Sequence, residues 1–384
     1  MTKNDDKCVP ALRFKGFNND WAQHKLGDIA QRKNKTSDCS KLPNVSYEDI
    51  SPNIGTLNKS VNKLSTGKKG ILFKKDDVLF GKLRPYLNNY LFADFTGIAI
   101  GDFWVLNHKE APQFLFYLIQ SPKFRYISNI SSGSKMPRSD WNLVSNYKFN
   151  VPAVFEQTNI GKTLKLIDTL ITLQQRKLQQ LKLLKKAMLQ DLFTDKNVPK
   201  LRFNGFDANW IQCKLGKETL LTMGQSPSGS TYSDQPSTYI LVQGNADLKN
   251  GWVKPRIWTT QITKLAKKGD IIITVRAPAG KVGRTNFDVV LGRGVASIHG
   301  NDFIFYLLSK MDMNKYWKKY AAGSTFESIN SDDIKNTRVH VPNLSEQNRI
   351  ANLFLRLDDL IRFQQNKLNN LQKTKQFLLQ NMFI

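Results

Sequence analysis

Residues 10–27 read PALRFKGFNNDWAQHKLG, and residues 199–216 read PKLRFNGFDANWIQCKLG. The second stretch is the first repeated 189 positions later. The repetition continues along the chain. Phe114-Leu115-Phe116-Tyr117-Leu118 returns as Phe303-Ile304-Phe305-Tyr306-Leu307, and Gly133-Ser134 as Gly323-Ser324. Val151-Pro152 with Glu156-Gln157 returns as Val341-Pro342 with Glu346-Gln347. A period this long is not that of a solenoid. It marks a tandem duplication of one unit of about 190 residues, and two alike units tend to pack with pseudo-twofold symmetry, as a homodimer does.

Each unit ends in one long helical pattern. Between 156 and 193 there is no proline, and Gly161 is the single glycine. Leu164, Ile167, Ile171, Leu178, Leu181, Met188 and Leu192 fall on a and d heptad positions, with Gln174 and Lys185 in the two missing slots. The second copy places Phe354, Leu357, Ile361, Leu368, Leu371, Leu378 and Met382 there, with Gln364 and Lys375 in the same two slots. Each helix thus has one seam, and the other helix is its natural partner. Leu170, Leu173, Leu183, Leu184 and Leu189 lie off that seam and suggest a further partner surface. The order globule, helix, globule, helix with twofold symmetry makes the helices antiparallel.

The globular parts read as mixed α/β. Strands are expected at 76–80, 238–242 and 270–275, and helices over 112–127 and 302–320. The expected fold class is α+β: two α/β modules in a pseudo-twofold tandem repeat, separated by two long antiparallel coiled-coil helices. The expected divisions are 1–155, 156–194, 195–345 and 346–384.

Composition narrows the function. The chain has 384 residues with 57 Lys+Arg against 31 Asp+Glu, a formal charge of +26. Such an excess calls for a polyanion. With 40% hydrophobic and 11% aromatic residues the chain is not a disordered basic tail. Residues 1–194 carry +14 and the remainder +12, so each unit is basic by itself. No apolar run approaches the length of a membrane span, and the sequence Met1-Thr2-Lys3-Asn4-Asp5-Asp6 offers no signal-peptide core. Cys8, Cys39 and Cys213 lack metal or disulfide spacing, which fits a reducing cytoplasm.

Catalytic patterns are missing or incomplete. Gly161-Lys162-Thr163 resembles the end of a phosphate-binding loop, but Glu156 stands where the earlier glycine is needed. Gly224-Gln225-Ser226-Pro227-Ser228 fails as a nucleophile elbow at Ser228. His24, His108, His299 and His340 are scattered, and no metal site is expected. A nucleic-acid surface remains. Arginine can fork onto guanine, and asparagine or glutamine onto adenine, while lysine holds phosphate. The DNA-binding candidates in the first unit are Lys82, Arg84, Tyr86, Ser134, Lys135 and Arg138. In the second they are Gln225, Ser226, Arg276, Lys281, Arg284, Arg293, Ser324 and Thr325. A helix of 38 residues is roughly 57 Å long, more than the ~34 Å turn of B-DNA. Modules at its ends could read two half-sites.

Taken together, these stretches resemble the specificity subunit of type I restriction-modification systems. The carriers are Trp21 with Lys25-Leu26-Gly27, Trp210 with Lys214-Leu215-Gly216, and Gly224-Gln225-Ser226-Pro227. Gly269-Asp270-Ile271-Ile272 with Arg276-Ala277-Pro278 and the twin Val-Pro…Glu-Gln stretches complete them. The first unit departs from the pattern, with Gln31-Arg32-Lys33-Asn34 near where Gly-Gln-Ser-Pro would stand. The resemblance implies two target-recognition domains, each reading half of a split DNA site, and helices that set the spacer. It implies two methyltransferase subunits and, in the full complex, restriction subunits. S-adenosylmethionine, ATP and Mg²⁺ would belong to those partners, and this chain would be non-catalytic. A stand-alone bipartite DNA-binding protein, such as a repressor or architectural factor, and an enzyme in its own right are the competing readings.

Overall fold

The computed structural model describes residues 9–130, 136–321 and 328–384. The chain divides into two compact units. The first comprises the residues through Arg176 together with Asn366–Ile384; the second is Lys177–Gln365. The division cuts both long helices, which run Val154–Leu192 and Leu344–Asn381. Each unit therefore holds the start of its own helix and the end of the other.

In the first unit an antiparallel four-stranded sheet has the order Gln31–Lys33, Phe103–Asn107, Val78–Gly81, Tyr90–Phe92. A second sheet orders Thr36–Ser37, Gly70–Phe73, Gly97–Ala99 and Asn44–Val45. The alternation of side chains along a strand explains how they stack. Val78, Phe80, Trp104 and Leu106 point to a core shared with the helices, while Leu79, Leu91, Phe103 and Val105 point to a core with Val45, Phe73 and Ala99 of the second sheet. The central strand is buried on both faces, which is why it reads as an unbroken apolar run.

The second unit repeats the plan with more strands. Its six-stranded sheet orders Leu220–Met223, Val295–His299, Ile271–Thr274, Val282–Arg284, Trp252–Val253, Leu248–Lys249. A five-stranded sheet contains Tyr239–Val242 between Ile257–Thr259 and Val289–Leu291. Ile271 and Ile273 face the helical core and Ile272 faces Val242, Val289 and Leu291. In both units the start of the repeat forms a short strand on the strand that precedes the long helix: Ala22–Lys25 on Lys148–Val151, and Ile211–Lys214 on Arg338–Val341. Arg13 forks onto Glu156 at 2.7 and 2.8 Å, and Arg202 onto Glu346 at 2.8 and 2.8 Å. These ion pairs fasten the repeat's first residues to the first turn of its helix.

Two expected helices are each a pair. The first is Pro112–Leu118 followed by Pro122–Ser128. Pro122 has no N–H to continue the ladder, and Ser121 restarts it by accepting from the Phe124 N–H at 3.3 Å. The second is Asp302–Met313 followed by Lys318–Ala321, broken where Lys315 turns to φ +56°.

Of the expected seam residues, Leu164, Ile171, Leu178 and Leu192 on one helix and Phe354, Leu357, Leu368 and Met382 on the other are buried, while Ile167, Leu181, Met188, Ile361, Leu371 and Leu378 are half-buried. In the first unit Ile160 and Leu164 share a core with Leu379, Met382 and Phe383, so the start of one helix lies along the end of the other and the two run antiparallel. The lysines in the seam have carboxylate partners. Lys375 Nζ is 2.8 Å from Asp168 in the first unit, and Lys185 Nζ is 2.5 Å from Asp358 in the second. Each aspartate also accepts a tyrosine hydroxyl at 2.8 Å, from Tyr117 and Tyr306 respectively. The Oε1 atoms of Gln174 and Gln364 are buried without a hydrogen-bond partner. Off the seam, Leu170, Leu173, Leu183 and Leu184 are exposed as expected, but Leu189 is not: it is 6% exposed and belongs to the second unit's core.

Candidate nucleic-acid interface

In the first unit, the strand Val78–Gly81 delivers Lys82 to an edge where three segments are stitched together. The Lys82 N–H donates to the Asp102 carbonyl at 2.9 Å, the Ser139 N–H to the Lys82 carbonyl at 2.8 Å, and the Arg84 N–H to the Pro137 carbonyl at 2.7 Å. Leu83 bridges to Arg138. The Asp102 carboxylate gathers Arg138 Nη2 at 2.7 Å and Lys82 Nζ at 3.5 Å. Beneath them Tyr47 donates its hydroxyl to the Asp102 carbonyl at 2.6 Å and accepts from the Leu83 N–H at 3.2 Å. Burial pushes that hydroxyl up to about 12, so it stays a donor. Arg84 and Tyr86 then project outward. Lys82, Arg84, Tyr86 and Arg138 thus form one cluster. Ser134 and Lys135 lie outside the described residues.

The second unit builds the same edge from different residues. The Val275 N–H donates to the Gly294 carbonyl at 2.9 Å, the Ile329 N–H to the Val275 carbonyl at 2.9 Å, and Arg276 bridges to Ser328. Arg293 is exposed on the turn between Val289–Leu291 and Val295–His299, and its N–H donates to Ser226 Oγ at 3.1 Å. Gln225 is exposed beside it, its N–H on the Leu291 carbonyl at 2.9 Å. A side chain at Gly294 would collide with the Gln243 carbonyl, which is why this turn is Gly-Arg-Gly. Gln225, Ser226, Arg276 and Arg293 therefore come together. Ser324 and Thr325 lie outside the described residues.

Two candidates are engaged elsewhere. Arg284 is ion-paired with Asp302, its guanidinium 4.3 Å from the Phe305 ring centroid and its side chain only 12% exposed. Lys281 holds Asp312 at 2.9 Å. Both tie the sheet to the helix Asp302–Met313; Arg284 is buried there, while Lys281 stays 45% exposed and shares its charge with Asp312 as Arg138 does with Asp102. The matching backbone bonds also equate Lys82 with Val275. By that register Arg276 corresponds to Leu83 and Arg84 to Ala277, so the two arginines are one position out of step. Tyr47 and Asp102 were not legible beforehand, because they are separated from the loop along the chain and meet it only through the sheet.

Among the described residues no three His, Cys, Asp or Glu side chains gather as a metal-binding group. None of the described helices is long and apolar enough to cross a membrane.

Known proteins share this arrangement. The profile of the type I restriction modification DNA specificity domain matches twice, at residues 18–183 and 222–373. The putative type I restriction enzyme MjaX specificity subunit of Methanocaldococcus jannaschii is 29% identical over 71% of this chain and 67% of its own length. The HindI specificity subunit of Haemophilus influenzae is 25% identical over 46% of this chain and 41% of its own. Among solved structures, the S subunit of a type I restriction-modification system from M. genitalium superposes with a TM-score of 0.62 at 12% identity, covering 98% of this chain and 99% of that one. A chain from a structure of type I R-M complex assembly and conformational transition gives 0.58 at 24% identity, covering 94% and 96%. With its two matched domains spanning most of its length, the chain belongs to the type I restriction modification DNA specificity family.

Proposed function

We infer that this chain is the DNA-specificity subunit of a type I restriction-modification complex, a non-catalytic protein that binds a split duplex site with one unit on each half. The observation that carries the reading is the stitched edge repeated in both units, exposing Arg84 and Arg138 in one and Arg276 and Arg293 in the other. Fixed backbones presenting arginines and a glutamine suit base edges, since an arginine fork discriminates by about 1–3 kcal/mol per base pair. The large net positive charge supplies the phosphate attraction.

The methyltransferase partners, two copies, dock on the helices, and restriction subunits join in the full complex. Leu166, Leu170 and Leu173 support this, exposed at helical spacing along one face. S-adenosylmethionine, ATP and Mg²⁺ are held by those partners, in the cytoplasm.

The test is methylome sequencing of cells expressing this chain with its methyltransferase subunit. A bipartite motif is expected. Arg84→Ala should relax or abolish one half of it and Arg276→Ala the other, each by about ten-fold or more at its half. A continuous motif, or two arginine variants acting on the same half, would sink the reading.

A further inference from the structure

We propose that Tyr86 is a wedge that enters the base stack of the half-site read by the first unit, and that the second unit reads its half without one. The proposal rests on the DNA-reading role inferred above.

Tyr86 sits at the apex of a short 3-10 turn, Pro85–Leu87. It is 54% exposed, and Leu87 beside it is 42% exposed. A tyrosine left in water forgoes much of its large apolar burial, so an apical tyrosine next to an open leucine needs a reason. The turn is also held rigid at both ends. Arg84 and Asn88 both take left-handed backbone, at φ 50° and 55°, a conformation that asparagine adopts readily and that is costly for arginine. The Leu87 N–H donates to the Arg84 carbonyl and the Asn88 N–H to the Pro85 carbonyl, each at 2.9 Å, while the Asn53 N–H donates to the Asn88 carbonyl at 3.1 Å. Pro85 is buried under the turn. The strained Arg84 and the turn after it are kept in place by these bonds, which leave the side chains of Arg84, Tyr86 and Leu87 outside.

This is the construction a wedge requires. Opening a base step is costly, and a side chain that arrives already ordered adds no further ordering cost to it. The surroundings select DNA as the occupant. Arg84, the residue before the turn, is exposed, so a cation flanks the aromatic tip where a phosphate would lie, while Arg138, bridged through its backbone to Leu83, is held on Asp102. An arginine also suits the rim of a protein interface, so what selects DNA is that the turn belongs to the DNA-reading edge inferred above.

The register between units shows what the second unit does instead. Position 86 corresponds to Ala279, in Ala277-Pro278-Ala279. There the loop is drawn inward. Thr274 Oγ1 donates to the Pro278 carbonyl at 2.7 Å and accepts from the Lys281 N–H at 2.9 Å. Gly280, at φ +87°, lies so close to the Trp317 ring that a side chain would collide with it. That tip carries no aromatic ring, and its Pro278 carbonyl is held inward by Thr274.

The experiment uses the chain in complex with its methyltransferase subunit, bound to the recognised duplex carrying 2-aminopurine at successive positions of each half-site. A fluorescence rise at the methylated adenine belongs to the methyltransferase. The expected result is a second rise, several-fold, at another step of one half only. It should be lost in Tyr86→Ala, with roughly ten-fold weaker DNA binding, and kept in Tyr86→Phe and Tyr86→Trp. Because the side chain is exposed, thermal unfolding of the variants should match the parent. The wedge is overturned if no second rise exists, if the rise survives Tyr86→Ala, or if Tyr86→Phe behaves like Tyr86→Ala, which would make the residue a hydroxyl reader of base edges. It is equally overturned if Tyr86→Ala releases the methyltransferase and leaves DNA binding intact. A wild-type complex that binds no split site would fail earlier, at the DNA-specificity reading itself.

Discussion

His108 shows how a single side chain can set a local structure that no motif announces. Its Nδ1 accepts the N–H groups of Glu110 and Ala111 at 3.3 and 3.0 Å, at the entry to the helix Pro112–Leu118. Burial holds its protonation below the ordinary value of 6.5, and a proton on Nδ1 would remove the acceptor. The folded state therefore binds this proton less readily than the unfolded chain. The contribution is complete above about pH 6.5 and is lost as pH falls through the folded value. His108→Ala should cost about 1 kcal/mol at neutral pH. Urea unfolding at about pH 7.5 and 5.5 should show a smaller acid-induced loss in the variant than in the parent. At this scale the sequence was least legible. It offered fourteen DNA-binding candidates by residue type and loop context, yet partners decide which cations are free. Asp302 and Asp312 occupy Arg284 and Lys281 from the helix that follows the strand Val295–His299 of the same sheet, a pairing that residue type and loop context do not show. The one-residue offset between Arg84 and Arg276 was already legible, since Gly81-Lys82-Leu83-Arg84-Pro85-Tyr86 stands against Thr274-Val275-Arg276-Ala277-Pro278-Ala279 in the repeat, and the ladder of backbone bonds has the same register.

The long helices were legible almost to the residue, because a heptad pattern sustained over ten turns has no competing reading. The lysines in the seam were visible as interruptions, but their purpose was not, since Asp168 and Asp358 lie off the seam on the facing helix. A polar pair inside an apolar interface penalises every register that separates it. Lys375 and Asp168 are 13% and 21% exposed, against 24% and 37% for Lys185 and Asp358. Lys375→Ala should therefore destabilise the chain by about 2–3 kcal/mol, with Asp168 left to Tyr117 alone. Lys185→Ala should cost about 1 kcal/mol or less. Equilibrium unfolding of the two variants side by side checks the order. The strands at 78–81 and 271–274 were legible for a related reason, as continuous apolar runs buried on both faces. The helix pairs were not, because apolar periodicity carries straight across the break at Pro122 and across Lys315.

For the molecule as a whole, the duplication was the strongest signal, and it rests on the ends of each unit rather than on the centres that would touch DNA. The helices join those centres, and their length should set the spacing of the two half-sites. Four residues inserted in each long helix add about 6 Å, close to two base-pair steps of about 3.4 Å. The methylated motif should gain one or two base pairs of spacer with both halves unchanged, read by methylome sequencing of the insertion variant. Another consequence follows from the way the first unit is closed by Asn366–Ile384. During synthesis the ribosome emits Lys177–Gln365 as one uninterrupted run, so the second unit possesses all its residues while the first still waits for its last segment. The part of the protein made first is the part completed last. A nonsense codon or frameshift beyond Gln365 would leave the adjacent unit whole and wound the one encoded at the opposite end of the gene.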